Sequence, residues 1–365
     1  MRKCGVHDKD NILVVCTRRI GDVILCLPAM KELSDKYPNA LIDLLCFAGT
    51  EDLPRKISYI NKVIVVKQRP TLVDHWELIK KIFRRYNIAI SFLPGDRPVL
   101  YSWIASGNNV GCIAKNCKNF WKRGFLKRWI AHDDINTHTV VMNLRVIELL
   151  NTNKPCQIQD EFILFHEEPK PTKALSSNHP YVIFHISPKY VYKRWSLRGW
   201  QLLAHCLSKH AGLNIILSGG GERSERIYSE ELMLKMPKNT INLVGMMEIT
   251  ELSVGIRNAA IYVGLDTAVT HLAAMIGTPT VALFGPSNPR KWGPWPKGYN
   301  SQIGSSPWSI KGSQRIRNVF LIQGESDCVP CMLEGCFNHK ASESRCLQEL
   351  DSRRVFNAAM EMLHP

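Results

Sequence analysis

The sequence has no long hydrophobic run. None of its apolar stretches approaches the roughly 20 residues of a membrane-spanning helix, which argues against an integral membrane protein. Near the N-terminus, Arg18 and Arg19 interrupt the apolar residues before they reach the length of a secretory signal. We therefore expect a cytoplasmic protein.

Acidic residues are few relative to basic ones. Across 365 residues, 47 Lys and Arg stand against 32 Asp and Glu, which gives a formal net charge of +15. This excess favours nucleic acid, an anionic membrane face or a phosphorylated substrate as partner, although a solvated basic surface explains it equally well. Residues 115–129, KNCKNFWKRGFLKRW, interleave basic and aromatic residues. That pattern suits a membrane interface better than a groove that reads bases.

Several motifs of nucleotide and nucleic-acid proteins are also missing. The glycine-rich stretch SGGGERSE at 218–225 is not a Walker A loop, because no Gly-Lys-Ser/Thr follows it, and the sequence therefore gives no support to an NTPase. There is no zinc-finger, RNP or helix-turn-helix pattern, so we expect no nucleic-acid partner. The only Asp-x-Asp triplet, residues 8–10, precedes the first predicted strand and lies away from any strand end.

Strand-length apolar runs alternate with amphipathic helices in both halves of the chain. In the first half, strands are predicted at 11–16, 41–47, 62–67 and 87–93, and helices at 22–38 and 72–86. In the second half, strands are predicted at 181–187, 213–220, 240–245, 260–265 and 278–286. Such alternation is typical of parallel sheets covered by helices. The sequence therefore predicts an α/β protein with two Rossmann-like, doubly wound domains facing a central cleft.

The domain boundary is predicted in the segment 166–180, which is rich in Pro, Ser and charged residues and has no periodicity. We assign residues 1–170 to an N-terminal domain and 171–347 to a C-terminal domain with a Cys-rich segment at 328–346. Residues 348–365 form a C-terminal helix. In such folds ligands bind at the carboxyl ends of the strands.

The first strand–helix junction, CTRRIGDVILCLP at 16–28, carries the first candidate site. Gly21 has no side chain, so another group can approach the backbone closely there. Asp22 is predicted at or next to the N-cap of the following helix. The helix N-terminus would keep the Asp22 carboxylate ionised and able to accept a proton, although a purely structural cap is the alternative. Arg18 and Arg19 either contact an anionic substrate or are solvated.

The second candidate site lies in LDTAVTHLAAMIGTPTVALFGP at 265–286. Asp266 and Thr267 end an apolar strand, and His271 follows one helical turn later. The first N–H groups of a helix at 267–276 form an anion site, and the Thr267 hydroxyl and His271 lie on the same side of it. A structural histidine is the alternative to a ligand-binding one.

Two further residues follow neighbouring strands of this half. Lys193 lies in a loop after the strand at 181–187, within reach of an anionic ligand. Glu222 follows the glycines after the strand at 213–218, where an acidic side chain suits ribose hydroxyls.

The stretches RRIGDVILCLPAMKELSDKYP, KRWSLRGWQLL, LSGGGERSE and VGLDTAVTHLAAMIGTPTVALFGPSNPRKWGPW resemble glycosyltransferase family 9. This family comprises the bacterial heptosyltransferases of lipopolysaccharide core assembly, and the likeness covers nearly the whole chain in order. It implies a GT-B fold, an ADP-heptose donor, an inner-core lipopolysaccharide acceptor at the inner face of the inner membrane, and inversion without a metal ion. Two alternative hypotheses are a GT-B enzyme that uses another nucleotide sugar and a GT-B enzyme that acts on protein, as autotransporter heptosyltransferases do.

The resemblance also implies roles for individual residues. Asp22 matches the general base, and Lys193 matches a lysine that contacts the donor phosphates. Glu222 resembles the acid that holds the adenosine ribose, and Asp266 matches an acid that binds heptose hydroxyls. Arg18 and Arg19 are expected on the acceptor side. The residues matching the phosphate-binding turn are Thr267, Ala268 and His271, and many members have Gly in place of Ala268.

Four of the twelve cysteines form a cluster near the C-terminus, in CVPCMLEGCFNHKASESRC. The Cys-x-x-Cys spacing is that of metal ligands, so a structural Zn or Fe site is predicted, with reduced thiols or oxidative cross-links as alternatives. The cluster residues are Cys328, Cys331, Cys336 and Cys346. The other eight are expected to be small core residues. We expect catalysis to need no cofactor.

Overall fold

A computed structural model describes residues 10–299 and 306–364 of the protein, except residues 116, 151–155, 157, 171, 173–174 and 176–178. Asp8 and Lys9 of the Asp-x-Asp triplet therefore lie outside the described residues. The chain divides into two units. The first extends to Glu167 and includes Ser306, and the second comprises Glu168–Tyr299 and the residues from Pro307 onward.

The first unit is built on a six-stranded parallel sheet with the order β3-β2-β1-β4-β5-β6. This is the strand order of a doubly wound nucleotide-binding fold. The strands are β1 Asn11–Cys16, β2 Leu41–Phe47, β3 Lys62–Val66, β4 Ile88–Ser91, β5 Asn109–Ala114 and β6 Arg128–His132. The helices are α1 Ile20–Lys36, α2 Leu72–Ile82, α3 Asp96–Ala105 and α4 Thr139–Glu148, and a 3₁₀ helix spans Cys117–Gly124.

The central strands are buried on both faces, as expected when helices cover both sides of a parallel sheet. Residues 12–16 of β1 are fully buried. Leu13 and Val15 pack with Leu45 of β2 and Ala89 of β4 in one core cluster. Because helices cover both faces of the sheet, functional side chains can reach a ligand only from the ends of the strands.

The second unit contains a seven-stranded sheet with the order β12-β13-β11-β10-β7-β8-β9, in which only the β12–β13 pair is antiparallel. The strands are β7 Tyr181–His185, β8 Asn214–Ser218, β9 Thr240–Asn242, β10 Ile261–Leu265, β11 Thr280–Phe284, β12 Gln314–Ile316 and β13 Val319–Gln323. The helices are α5 Leu197–Ala211, α6 Arg223–Met233, α7 Ile249–Asn258, α8 Ala268–Ile276, α9 Pro289–Trp292, α10 Arg345–Gln348 and α11 Ser352–Leu363.

A tryptophan pair joins the C-terminal end of the chain to the core of this unit. Trp195 and Trp200 meet edge to face with ring centroids 5.0 Å apart. The indole N–H of Trp195 donates to the carbonyl oxygen of Leu350 at 3.0 Å. Helix α11 contacts α5, and its residue Val355 lies in the same core cluster. The last helix is thus a core element of the second unit.

Within the described residues, no helix combines the length and the apolar character that crossing a membrane requires. The ten cysteines whose side chains the structure describes are free thiols. Five of the scattered ones are buried, as expected, and Cys206 is half-buried; the buried ones are Cys16, Cys26, Cys46, Cys112 and Cys156.

Candidate functional site

In the second unit, an ion pair connects the loop after β7 with the end of β10. The ammonium Nζ of Lys193 lies 2.5 Å from Oδ2 of Asp266, and the Ser287 hydroxyl donates to the same oxygen. Asp266 is buried. Burial alone would raise the pKa of Asp266, but the charge of Lys193 and the two hydrogen bonds hold it below its usual value. Asp266 is therefore an anion with a fixed cationic partner.

The turn from β10 into α8 is held by a chain of hydroxyl groups. The Thr270 hydroxyl donates to the carbonyl oxygen of Leu265 and lies 3.0 Å from the hydroxyl of Tyr262. It also lies 3.3 Å from the hydroxyl of Thr267. Thr267 is the N-cap residue of α8, but its side chain does not cap the helix. The hydroxyl contacts therefore fix the turn that leads into α8, and the Thr267 side chain does not occupy the first backbone N–H groups of the helix.

His271 lies one turn into α8 and is buried. Burial lowers its pKa to about 4, and the nearby Asp266 charge only partly opposes this effect. The imidazole is therefore neutral at pH 7. Among the described residues, no hydrogen-bond partner lies at Nδ1 of His271. A buried polar atom of this kind suits a ligand, because an unpaired one is costly in an empty interior.

Polar groups also follow β7 and β8, the neighbouring strands. His185 at the end of β7 is buried, its Nδ1 lies 3.0 Å from the Ser218 hydroxyl, and burial lowers its pKa to about 4. Within the part of the chain that the structure describes, the buried hydroxyl of Ser187 has no hydrogen-bond partner. It lies 3.0 Å from the position that a Cβ of Gly219 would take. A side chain at 219 would therefore crowd this strand end.

Glu222 is the N-cap residue of α6. Its backbone N–H donates to Glu225 Oε2 at 3.2 Å, and Gly220 N–H donates to Oε1 at 3.3 Å. Burial raises the pKa of Glu225 in spite of these bonds. The loop is thus closed by Glu225, while the side chain of Glu222 is exposed.

In the first unit, α1 begins two residues earlier than predicted. Arg19 is the N-cap residue and Asp22 is the third helical residue, so the prediction that Asp22 caps the helix is wrong. The reason is that the backbone already enters the helix at Ile20, where Val23 N–H donates to Arg19 O at 3.2 Å. The Asp22 side chain is 11% exposed, and its Oδ1 lies 3.5 Å from Nη1 of Arg18. The carboxylate therefore lies in the first turn of the helix beside a guanidinium group.

A pocket of about 810 Å³ opens at the carboxyl ends of the strands of this unit. Residues 17–18, 93–98, 114–115 and 132–136 line it, together with Phe47. The buried hydroxyl of Thr17 has no hydrogen-bond partner among the described residues. Arg18, the neighbour of Asp22, also lines the pocket. The pocket therefore adjoins the predicted catalytic carboxylate.

The acidic residues of the pocket are held by the protein. Asp96 Oδ1 lies 2.7 Å from Nζ of Lys122. Asp133 accepts hydrogen bonds from the N–H groups of Ile135 and Asn136, both at 3.0 Å. Burial alone would raise the pKa of Asp133, but these hydrogen bonds hold it below its usual value. The carboxylates are thus engaged within the wall.

The structure brings five of the predicted residues together at the β10–α8 turn, namely Lys193, Asp266, Thr267, Ala268 and His271. Glu222 follows β8, which lies two strands from β10 in the sheet, and Arg18, Arg19 and Asp22 lie at the start of α1 in the first unit. Three polar residues of these strand ends were not predicted from the sequence, namely Ser287, His185 and Thr17. The polar residues directly after a strand end, as in FGPS and VVCT, were the available signal.

The C-terminal cysteines do not support the predicted metal site. Among the described residues, which include all four, no group of three or more His, Cys, Asp or Glu is placed to hold a metal ion. Cys328 and Cys336 are exposed, whereas Cys346 is buried. Burial, with the neighbouring thiols, raises the pKa of Cys346 to about 12. Cys336 Sγ instead accepts a hydrogen bond from Arg345 N–H at 3.3 Å.

Curated relatives share much of the chain with this protein. Lipopolysaccharide heptosyltransferase 3 of Escherichia coli K12 is 23% identical over 75% of this chain and 82% of its own. Lipopolysaccharide heptosyltransferase 1 of Pseudomonas aeruginosa is 22% identical over 97% and 98%.

Solved structures share the fold. The glycosyl transferase family 9 structure from Veillonella parvula has a TM-score of 0.73 at 17% identity and covers 99% of both chains. E. coli heptosyltransferase WaaC with ADP has a TM-score of 0.72 at 17% identity, over 96% of this chain and 99% of its own. The iron-containing dodecameric glycosyltransferase TibC from E. coli has a TM-score of 0.52 at 12% identity, over 99% of this chain and 77% of its own.

The family described as glycosyltransferase family 9 (heptosyltransferase) matches residues 121–313, which is more than half of the chain. The two Rossmann-like units agree with the GT-B fold of the solved neighbours. The chain belongs to glycosyltransferase family 9, and it is a glycosyltransferase with the GT-B fold.

Proposed function

We propose that the protein transfers a heptose from ADP-heptose to the inner core of lipopolysaccharide, with inversion at the anomeric carbon and without a catalytic metal ion. The observation that carries the proposal is the arrangement of Lys193, Asp266 and His271 around the N-terminus of α8. The curated relatives are lipopolysaccharide heptosyltransferases, and the solved structure of the relative WaaC was determined with ADP.

The donor diphosphate binds at the start of α8. Negative charge grows on it as the anomeric C–O bond breaks, and the helix N–H groups and the ammonium of Lys193 stabilise that charge. An ammonium has three donors, so Lys193 can hold Asp266 and a phosphate oxygen at once. His271 is neutral and supplies a hydrogen bond through its unpaired Nδ1. Asp266 binds heptose hydroxyls, and Glu222 binds the adenosine ribose.

Asp22 is the general base. The acceptor oxygen attacks the anomeric carbon, the bond to the diphosphate breaks, and the acceptor proton passes to the Asp22 carboxylate. A single displacement of this kind inverts the anomeric centre. The first turn of α1 and Arg18 at 3.5 Å favour the charged form that must accept the proton.

The acceptor binds in the pocket of the first unit, where Arg18 and the buried hydroxyl of Thr17 line the wall. Arg19 contributes positive charge at the same strand end. Because a lipopolysaccharide precursor is anionic and lipid-anchored, we place the enzyme in the cytoplasm on the inner face of the inner membrane.

The test is Asp22→Asn in a purified transfer assay with ADP-heptose and a heptose-deficient lipopolysaccharide acceptor. Loss of a general base lowers kcat by about 10²–10⁴-fold, while ADP affinity stays unchanged. Asp35→Asn is the matched control, because Asp35 is an exposed residue of the same helix. Full activity of Asp22→Asn would exclude Asp22 as the base.

A panel of nucleotide sugars and a protein acceptor tests the alternative function in the same assay. Preference for another sugar nucleotide, or transfer to protein alone, would replace the proposed substrates while retaining the fold and the site. Mass spectrometry of the core oligosaccharide from cells lacking the protein identifies the missing heptose.

A further inference from the structure

Exposed aromatic side chains are concentrated in the first unit. Of the exposed large hydrophobic residues in the described chain, the aromatic ones are Trp76, Phe83, Trp103, Phe120, Trp121 and Phe337. All except Phe337 lie between residues 76 and 121. Exposed aromatic area is costly in water, so a cluster of it on one unit of an otherwise ordinary surface indicates a binding surface.

Helix α2 contributes one part of the cluster. Leu72, Trp76 and Phe83 follow the spacing of one helical face and are 88%, 59% and 60% exposed. The opposite face is buried through Leu78 and Ile82. The ammonium of Lys80 lies 5.3 Å from the centre of the Trp76 ring. The face is therefore apolar at its centre and basic beside it.

Ring contacts join this region to the 3₁₀ helix at Cys117–Gly124. The Arg84 guanidinium lies 5.6 Å from the Trp103 ring centre. Trp103 meets Phe125 edge to face at 5.0 Å, and Phe125 meets Trp121 edge to face at 5.5 Å. The contacts run without a break from Arg84, two residues after α2, to Trp121.

Arg123 completes the cluster. Its guanidinium lies 5.2 Å from the Phe120 ring centre and 4.8 Å from the Trp129 ring centre. We call the following residues the aromatic–basic surface: Leu72, Trp76, Lys80, Phe83, Arg84, Trp103, Phe120, Trp121, Arg123, Phe125 and Trp129.

The aromatic–basic surface is fixed to the rim of the pocket. Lys122 is buried between the exposed Trp121 and Arg123, and its ammonium donates to Pro94 O at 2.6 Å and contacts Asp96 at 2.7 Å. Pro94 and Asp96 line the pocket. A partner that binds the aromatic–basic surface is therefore held beside the proposed acceptor pocket.

The surface is positively charged. Residues 117–130 contain five basic residues and no acidic one, and one of the five, Lys122, is buried against the acidic partner described above, Asp96. On α2, Asp74 is paired with Lys67 at 2.9 Å. The remaining charged residues of the helix are one acidic residue, Glu77, and two basic ones, Lys80 and Lys81. Aromatic rings beside Arg and Lys are typical of protein segments that lie in the headgroup region of an anionic bilayer.

We propose that the aromatic–basic surface docks on the anionic phospholipid headgroups of a membrane, and that this positions the pocket for a lipid-anchored acceptor. The second part rests on the proposed function. The ring contacts favour lipid over single-stranded nucleic acid. Base stacking needs open ring faces, whereas Arg84 lies over Trp103 and Arg123 lies over Phe120 and Trp129.

The test is co-sedimentation of the full chain with vesicles of phosphatidylcholine and phosphatidylglycerol, compared with vesicles of phosphatidylcholine alone. We expect binding to the anionic vesicles only, with a loss of about 10-fold or more when salt rises from roughly 0.1 to 0.5 M. Trp76→Ser/Phe120→Ser should reduce binding at least about 10-fold, and Arg123→Glu at least about 5-fold.

Matched controls lie in the second unit. Leu234 and Met246 are 82% and 70% exposed, so Leu234→Ser/Met246→Ser removes comparable apolar area, and Lys235→Glu reverses an exposed charge. These variants should bind vesicles like the unaltered protein. Equal effects of the control and test variants would overturn the proposal, as would binding to neutral vesicles or displacement from vesicles by poly(U).

ADP affinity, measured on the same samples, separates this inference from the proposed function. Retained ADP binding without vesicle binding would overturn the membrane surface and leave the donor site standing. Vesicle binding without ADP or ADP-heptose affinity would instead contradict the proposed function.

Discussion

The ammonium of Lys193 and the carboxylate of Asp266 form a contact of 2.5 Å between residues 73 positions apart in the chain. The pair joins the loop after β7 to the end of β10, and Ser287 adds a third polar group from the loop after β11. Three neighbouring strand ends thereby converge on one carboxylate oxygen, at the edge of the sheet where this class of fold binds ligands.

Lys193→Met should weaken ADP binding by about 10- to 100-fold, because it removes a positive charge at the proposed diphosphate site and leaves Asp266 buried without its counter-ion. Calorimetric titration with ADP measures the affinity, and the Tm should also fall. Lys189→Met serves as the control, since Lys189 is exposed in the same loop. Equal ADP affinities for the two variants would remove Lys193 from the donor site.

His271 should make stability depend on pH. Burial depresses its pKa from 6.5 to about 4 in the folded protein, so the unfolded chain binds the proton more tightly. The contribution of His271 to the free energy of unfolding is fully present above pH 6.5 and is lost as the pH falls towards 4. Between pH 7.5 and pH 5 the loss amounts to about 2 kcal/mol.

Urea unfolding of the unaltered protein and of His271→Gln at these two pH values measures that dependence. The variant should lose less stability on acidification, because glutamine does not titrate. His364→Gln is the control, since His364 is exposed. The same pH dependence in the His271 and His364 variants would contradict the assignment.

Gly199→Ala should destabilise the second unit. A Cβ at this position would lie 2.4 Å from a ring carbon of Trp195, which is itself fully buried. Overpacking of this kind costs about 1–3 kcal/mol. The free energy of unfolding measures the effect, and Gly124→Ala is the comparison, because a Cβ there meets nothing within 4 Å. If Gly199→Ala left the free energy of unfolding unchanged, the Trp195 ring would have to be able to move aside.

Thr17→Val should separate stability from function. The Thr17 hydroxyl is buried without a hydrogen-bond partner among the described residues, so its removal should raise the free energy of unfolding by roughly 0.5–2 kcal/mol. If the hydroxyl binds the acceptor, the acceptor KM rises and the donor KM does not. A loss of stability without a change in KM would identify a structural hydroxyl instead.

The sequence predicted the strands whose residues form continuous apolar runs, such as β1 and β10, because burial on both faces leaves a strong pattern. It missed β5, NVGCIA, in which Gly111 breaks the apolar run, and β6, RWIAH, whose apolar run is only three residues long. Helix α3 was missed for a similar reason, since Pro98 lies in its first turn.

The candidate site was predictable where the chemistry is local. Asp266, Thr267 and His271 are close in sequence, so one motif contains them. The contact of Ser287 with Asp266 and the depressed pKa of His185 depend on which strands are neighbours. Strand order is set by the packing of the whole sheet, and a single motif does not contain that information.

The packing of the last helix sets an order for folding during synthesis. All six strands of the first sheet are complete at His132, so that sheet can form while the second unit is still being translated. The core of the second unit includes Val355 and Met362, and the indole N–H of Trp195 bonds to Leu350 O. The second unit can therefore reach its final packing only after residues 350–362 have emerged from the ribosome.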